Sequence, residues 1–236
     1  MLDSPFERSY LREKKHISME RKTVAELLWA LGGLLVFGYS IFVVPTESEW
    51  RTRFGRNSVF LTIQTNFLLW LYSTCTTCML LLVPEDRRQL QVYRGVLTRV
   101  LFAISIFVCL GYYGLIHFDP AHYLKARPPQ FWTRMHVLHA GPAIFVIGNL
   151  LVVPAVTRPD IRDYGVLLGY MLFYTSWLKF CAWMNGGLYP YPFQQGFEFH
   201  HHIAFDVVSV LVACGFLSIA RAVTRKRLVD KEKRSS

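Results

Sequence analysis

The chain has 236 residues, a formal net charge of +10, 53% hydrophobic residues and 18% charged residues. Soluble domains carry about 25% charged residues. Here the charges are also confined to segments between long apolar runs. Disorder, a collagen-like chain and a disulfide-stapled mini-protein are thereby excluded as the main architecture, and an all-α polytopic membrane protein is predicted.

A bilayer core takes about 20 apolar helical residues. After a basic segment, 1–23, the first run is Val24 to Val44. It is too long for a signal-peptide core and has no small-residue cleavage site. Asp3, Glu7, Glu13 and Glu20 make the segment before it too acidic for a mitochondrial presequence. Further runs follow at Ser58 to Val83, Gly95 to Ile116, Thr133 to Val153, Gly165 to Trp183 and Ile203 to Ala220, and a basic tail, 223–236, closes the chain. Pro45, Pro84, Pro120, Pro128, Pro129, Pro154, Pro159, Pro190 and Pro192 separate the runs, where a residue without an N–H ends a helix. The reading is a bundle of six transmembrane helices within 24–222, with both termini on the same side. The two charged ends are expected to be mobile on their own.

Of the 26 Lys and Arg residues, 18 fall on the side of the termini and 6 on the other. The positive-inside rule then puts both termini in the cytosol, or in the matrix of a mitochondrion. An endomembrane or the plasma membrane is expected, with the mitochondrial inner membrane as the other option. The basic tail would also attract anionic headgroups. No aromatic or glycine pattern accompanies these charges, so no nucleic-acid partner is expected. Cys75 and Cys78 have redox spacing, but they lie inside an apolar run without a second pair and are read as packing residues.

Polar groups inside spans are costly and need a reason. Glu26 and Arg99 lie at inner span ends and are read as snorkelling. Thr62, Thr65 and Asn66 share a face near the outer end of the second run, at i, i+3 and i+4. His136 and His139 open the fourth run, Lys179 closes the fifth, and Asp206 follows His200, His201 and His202 in the sixth. Four spans thus contribute polar groups at one depth, which predicts a polar pocket near the outer leaflet. Lys179 and Asp206 are read as a structural ion pair.

Three chemistries are open to such a pocket. A Thr hydroxyl activated by a His is one: Thr62 with His139, and Asn66 or Thr65 as oxyanion donors. Metal or haem ligation by His136, His139, His200 and His202 is another. Recognition of a polar lipid headgroup or ester without chemistry is the third.

Three short motifs occur in order: Phe60-Leu61-Thr62 opening the second run, His136-x-x-His139 with Pro142 in the fourth, and Tyr189-Pro190-Tyr191-Pro192-Phe193 after the fifth. Together they resemble the androgen-induced protein family of six-span membrane threonine hydrolases and related bacterial integral membrane proteins. Thr62-Ile63-Gln64-Thr65-Asn66 is most similar to the bacterial branch, and Gln64 stands where animal members carry an acidic residue. The resemblance implies cleavage of fatty acid esters of hydroxy fatty acids or similar lipids, with Thr62 as nucleophile and His139 as base. No cofactor and no metal are expected. Expected partners are membrane lipids and a lipid ester substrate. The alternative is a non-catalytic accessory or structural subunit, held with other membrane subunits in a larger complex.

Overall fold

A computed structural model describes residues 5–42, 52–82, 88–118, 129–153 and 157–235. Among the described residues there are six α-helices: α1 (Pro5–Phe42), α2 (Leu61–Leu82), α3 (Arg88–Phe118), α4 (Pro129–Val152), α5 (Arg162–Met184) and α6 (Phe199–Ser235). Short 3₁₀ turns at Arg56–Val59 and Pro192–Gln194 precede α2 and α6. No strand occurs among the described residues.

Among the described residues, five stretches are long and apolar enough to cross a membrane: Val24–Phe42, Leu61–Leu82, Gln91–Phe118, Phe131–Val152 and Phe199–Lys233. The sixth expected span, Gly165 to Trp183, lies within α5 but is not among them. Tyr164, Tyr170, Tyr174, Trp177, Trp183 and Lys179 make that helix less apolar than its neighbours. Pro45, Pro84, Pro120, Pro128 and Pro154 lie outside the described residues. Pro129 opens α4, where a missing N–H removes no helical hydrogen bond. The helices outrun the apolar segments at both ends of the chain. α1 begins at Pro5, within the basic N-terminal segment, and α6 continues through the basic tail to Ser235.

α3 is the central helix. Its residues 98–105 are all buried, as expected for a helix apolar on every side. One face packs Val100, Ile104 and Val108 against Leu167, Met171, Ala213 and Leu217 of α5 and α6. The other puts Leu101 and Phe102 with Phe37, Leu69, Phe145 and Val146 of α1, α2 and α4. Polar bonds tie the same helices. Asn149 Nδ2 donates to Tyr72 Oη (2.9 Å), and Tyr72 Oη lies 2.8 Å from Thr98 Oγ1, which itself donates to the Arg94 carbonyl. Leu35, Phe42, Leu172, Phe173, Val208 and Leu211 are exposed on the outside, a surface that suits lipid and would be a liability in water.

The contacts sort into two ends. At one, Asn185 after α5 exchanges two hydrogen bonds of 3.0 Å with the backbone of Phe54, just before α2. Tyr113 near the end of α3 meets His136 near the start of α4 there. At the other end, Arg94 of α3 pairs with Glu26 of α1 (2.8 Å), and Arg99 pairs with Asp163 of α5. Also at that end, Arg227 of α6 donates to the carbonyls of Leu150 and Leu151 in the last turn of α4 and of Val153 just past it. Those carbonyls have no partner within their own helix, and a cation suits the negative end of its dipole.

Candidate functional site

The end that carries His136 is built around the first turn of α2. Gly55 and the turn Arg56–Val59 bring the chain in, Phe60 is extended, and the helix begins at Leu61. Helix starts leave N–H groups without intrahelical partners. Tyr191, from the loop before α6, covers one of them: the Leu61 N–H donates to its Oη (3.0 Å). Tyr191 Oη lies 2.8 Å from Tyr174 Oη, which reaches the Val59 carbonyl at 3.3 Å. Gln64 folds back onto the Ser58 carbonyl (2.7 Å) and accepts from Tyr170 Oη (3.2 Å).

Thr62 follows immediately. It is half-buried. A threonine within a membrane helix usually gives its hydroxyl to the carbonyl four residues back. Thr65 does this, donating to Leu61 O at 2.8 Å. For Thr62 the corresponding carbonyl is Ser58, outside the helix and already bonded to Gln64. The Thr62 hydroxyl makes no hydrogen bond to the described residues, and neither does the Thr62 N–H.

Asn66 is fully buried one turn on. Its Nδ2 donates to the Thr62 carbonyl at 2.8 Å and to the Leu138 carbonyl of α4 at 3.0 Å. The second bond has a cause in the sequence. Leu138 O would ordinarily accept from residue 142, but Pro142 has no N–H. Asn66 supplies the missing donor from another helix. One amide nitrogen thus ties the backbone of Thr62 to the residue preceding His139. Both Asn66 protons are engaged in this bridge, so neither is left for an oxyanion. The atom left over is the acceptor Oδ1, buried and unpartnered among the described residues.

His139 is half-buried, with Nδ1 2.8 Å from the Met135 carbonyl. A carbonyl cannot donate, so Nδ1 carries the proton and Nε2 keeps the lone pair. The ring stacks on Tyr112 of α3, centroids 3.6 Å apart and planes 12° apart, which fixes its orientation. His136 is exposed, stacked on Tyr113 at 5.8 Å, with Nδ1 2.5 Å from Tyr113 Oη. The two histidines of the motif are therefore each backed by a tyrosine of α3. Nothing local in the sequence marks Tyr112 or Tyr113 as part of a site. An aromatic pair at a span end is indistinguishable there from an interfacial belt.

Lys179 Nζ donates to Asp206 Oδ2, joining α5 to α6. The histidine triplet divides. His202 turns inward, buried, and stacks on Tyr189 at 4.3 Å. His200 and His201 are exposed beside Glu198, their ligand atoms within 4.8 Å of one another. Among the described residues, the grouping that geometry allows for a metal is thus Glu198, His200 and His201. His202 is packed into the aromatic cluster, and His136 and His139 each have Nδ1 engaged.

The described helices and their apolar exteriors define an integral, multi-pass, all-helical membrane protein. Residues 25–225 match the FAR-17a/AIG1-like protein family, and the chain belongs to it. This is the androgen-induced family that the three motifs resemble. No curated protein and no solved structure matches the chain.

Proposed function

We propose that this protein is a membrane-embedded hydrolase of lipid esters, with Thr62 as nucleophile and His139 as general base. The observation that carries the reading is the state of those two side chains. The Thr62 hydroxyl has no partner among the described residues, and the Asn66 bridge ties its backbone to the turn that holds a histidine with one free nitrogen. Nε2 of His139 takes the hydroxyl proton as Oγ1 attacks the ester carbonyl carbon, and then passes it to the departing alkoxide. A water, deprotonated by the same nitrogen, cleaves the acyl-threonine. The carbonyl oxygen gains its charge beside the first turn of α2. The Thr62 N–H and the positive end of the helix dipole stabilise it there, in place of the Asn66 amide.

In this reading α5 crosses the membrane with the other five helices, since it ends beside the start of α2 and begins beside Arg99 of α3. Both termini then lie on the side with the basic excess, and acyl chains reach Thr62 between helices from the bilayer.

The test is labelling by a fluorophosphonate probe, with ester cleavage measured on the same samples. Wild type is expected to label and to cleave long-chain esters. Thr62→Ala and His139→Ala lose both, and Thr62→Ser retains part. The Thr62→Ala protein keeps its thermal stability, because the lost hydroxyl leaves no partner unmet among the described residues. Full labelling of Thr62→Ala excludes Thr62 as nucleophile. A folded wild type that neither labels nor cleaves, and that co-purifies in a fixed ratio with other membrane proteins, assigns the chain to the accessory-subunit class instead.

A further inference from the structure

The opposite end of the bundle holds a second polar cluster that the hydrolase reading does not use. Asp163, in the first turn of α5, is fully buried. Arg99 of α3 binds it through two hydrogen bonds of 2.9 Å, from Nε to Oδ2 and from Nη2 to Oδ1. That fork already pairs the carboxylate. Yet Arg221 of α6 also faces it, with Nε 3.9 Å from Oδ2, too far for a hydrogen bond. The Arg221 guanidinium lies 4.4 Å above the Tyr164 ring, which fixes its plane. Its Nη1 is buried and has no hydrogen bond among the described residues. Thr157 Oγ1 is likewise buried and unpartnered. It sits 2.5 Å from where a Cβ on Gly95 would be, and Arg99 Nη1 lies 3.4 Å from the same point. Glycine at 95 is what lets Thr157 approach α3.

Among the described residues, there are thus two guanidinium groups around Asp163 for one carboxylate, with an unpartnered N–H and an unpartnered hydroxyl beside them. Arg94, the neighbouring residue on α3, contributes no excess because Glu26 pairs it. A guanidinium with a buried, unpaired N–H is destabilising. One added negative charge removes that cost if it brings acceptor oxygens. A phosphodiester does so: it carries a single charge and matches the planar fork of arginine. Arg225 and Lys226 lie exposed on the next turn of α6, where they would gather anions toward the cluster.

We propose that this cluster is a binding site for a phosphate group, held by Arg221 Nη1 and Thr157 Oγ1 at the basic end of the bundle. The group is either the headgroup phosphate of an anionic lipid or free inorganic phosphate. The inference is independent of the chemistry at Thr62.

The test uses the purified full-length protein in a neutral maltoside detergent. Its unfolding temperature is read with added phosphatidylglycerol, phosphatidylcholine or inorganic phosphate. Phosphatidylglycerol is expected to raise the unfolding temperature of wild type more than phosphatidylcholine does. Arg221→Gln removes that gain, and Thr157→Val, which keeps every charge, reduces it. The double variant Arg225→Gln/Lys226→Gln retains it. A gain with inorganic phosphate that Arg221→Gln also removes assigns the site to the free anion. The proposal is overturned if neither phosphate source shifts wild type beyond phosphatidylcholine. It is also overturned if Arg221→Gln and Thr157→Val both keep the full gain. Loss of the gain in Arg225→Gln/Lys226→Gln alone overturns it too, because attraction to the surface then explains the effect.

Discussion

Pro142 removes one N–H from the backbone of α4, and Asn66, on a different helix, fills the place. The pairing makes the proline and the asparagine a single unit, which a double-mutant cycle can read. Asn66→Leu leaves the Leu138 carbonyl buried without a donor, at a cost of about 1–3 kcal/mol. With Pro142→Ala present, residue 142 regains an N–H for that carbonyl, and Asn66→Leu costs less. The expected coupling lies within the range of about 0.5–3 kcal/mol seen for contacting residues, measured by thermal unfolding in detergent. Additive losses would mean that the two residues act separately. The sequence presented both residues but not their relation. Asn66 stood out as a polar group inside a span and Pro142 as part of a histidine motif, but nothing local reports a hydrogen bond between helices. The same holds for Tyr191. Its loop was visible as a motif, but that its hydroxyl covers the first N–H of α2 depends on how the helices pack.

Among the helices, closeness of approach is set by small residues. Gly148 of α4 faces Trp29 of α1, and a Cβ at 148 would stand 2.2 Å from Trp29 Cζ2. Trp29 cannot easily yield, since it stacks on Phe145 with centroids 5.6 Å apart and planes 7° apart. Gly148→Ala is therefore expected to destabilise the protein by about 1–3 kcal/mol through overpacking. Gly165→Ala in α5, where an added Cβ meets nothing within 4 Å, is expected to be neutral or to stabilise by up to about 1 kcal/mol. Thermal unfolding of the two variants checks the contrast, and an equal response would mean that α1 does not pack on α4 in this way. Six helices were legible as apolar runs because run length and proline placement are local signals. Their true ends were not. α6 extends past Ala220 through charged sequence that no apolar pattern marks. Glu26 and Arg99 read as snorkelling residues at span ends, but each is buried in an ion pair with a side chain of another helix.

For the molecule as a whole, the two ends differ in kind. One gathers tyrosine, histidine and a threonine, and the other gathers arginine and its carboxylate partners. In the proposed orientation, with the basic excess on the cytosolic or matrix side, Thr62 would open toward the outer leaflet and Arg221 toward the inner one. A tag fused after Ser236 should be digested by protease added on that inner side and protected from protease on the outer side. The reverse pattern would exchange the leaflets of the two sites and leave their internal geometry unchanged.

Arg227 gives this architecture an order in time. The carbonyls at the end of α4 are met by a side chain from α6. When α4 leaves the ribosome, residue 227 has not yet been made. Those acceptors lack their Arg227 partner through the synthesis of α5 and most of α6, although every apolar run is already complete by Ala220. Insertion into the bilayer and completion of the fold are thus separate events in the biogenesis of this chain, and the second waits for its basic tail.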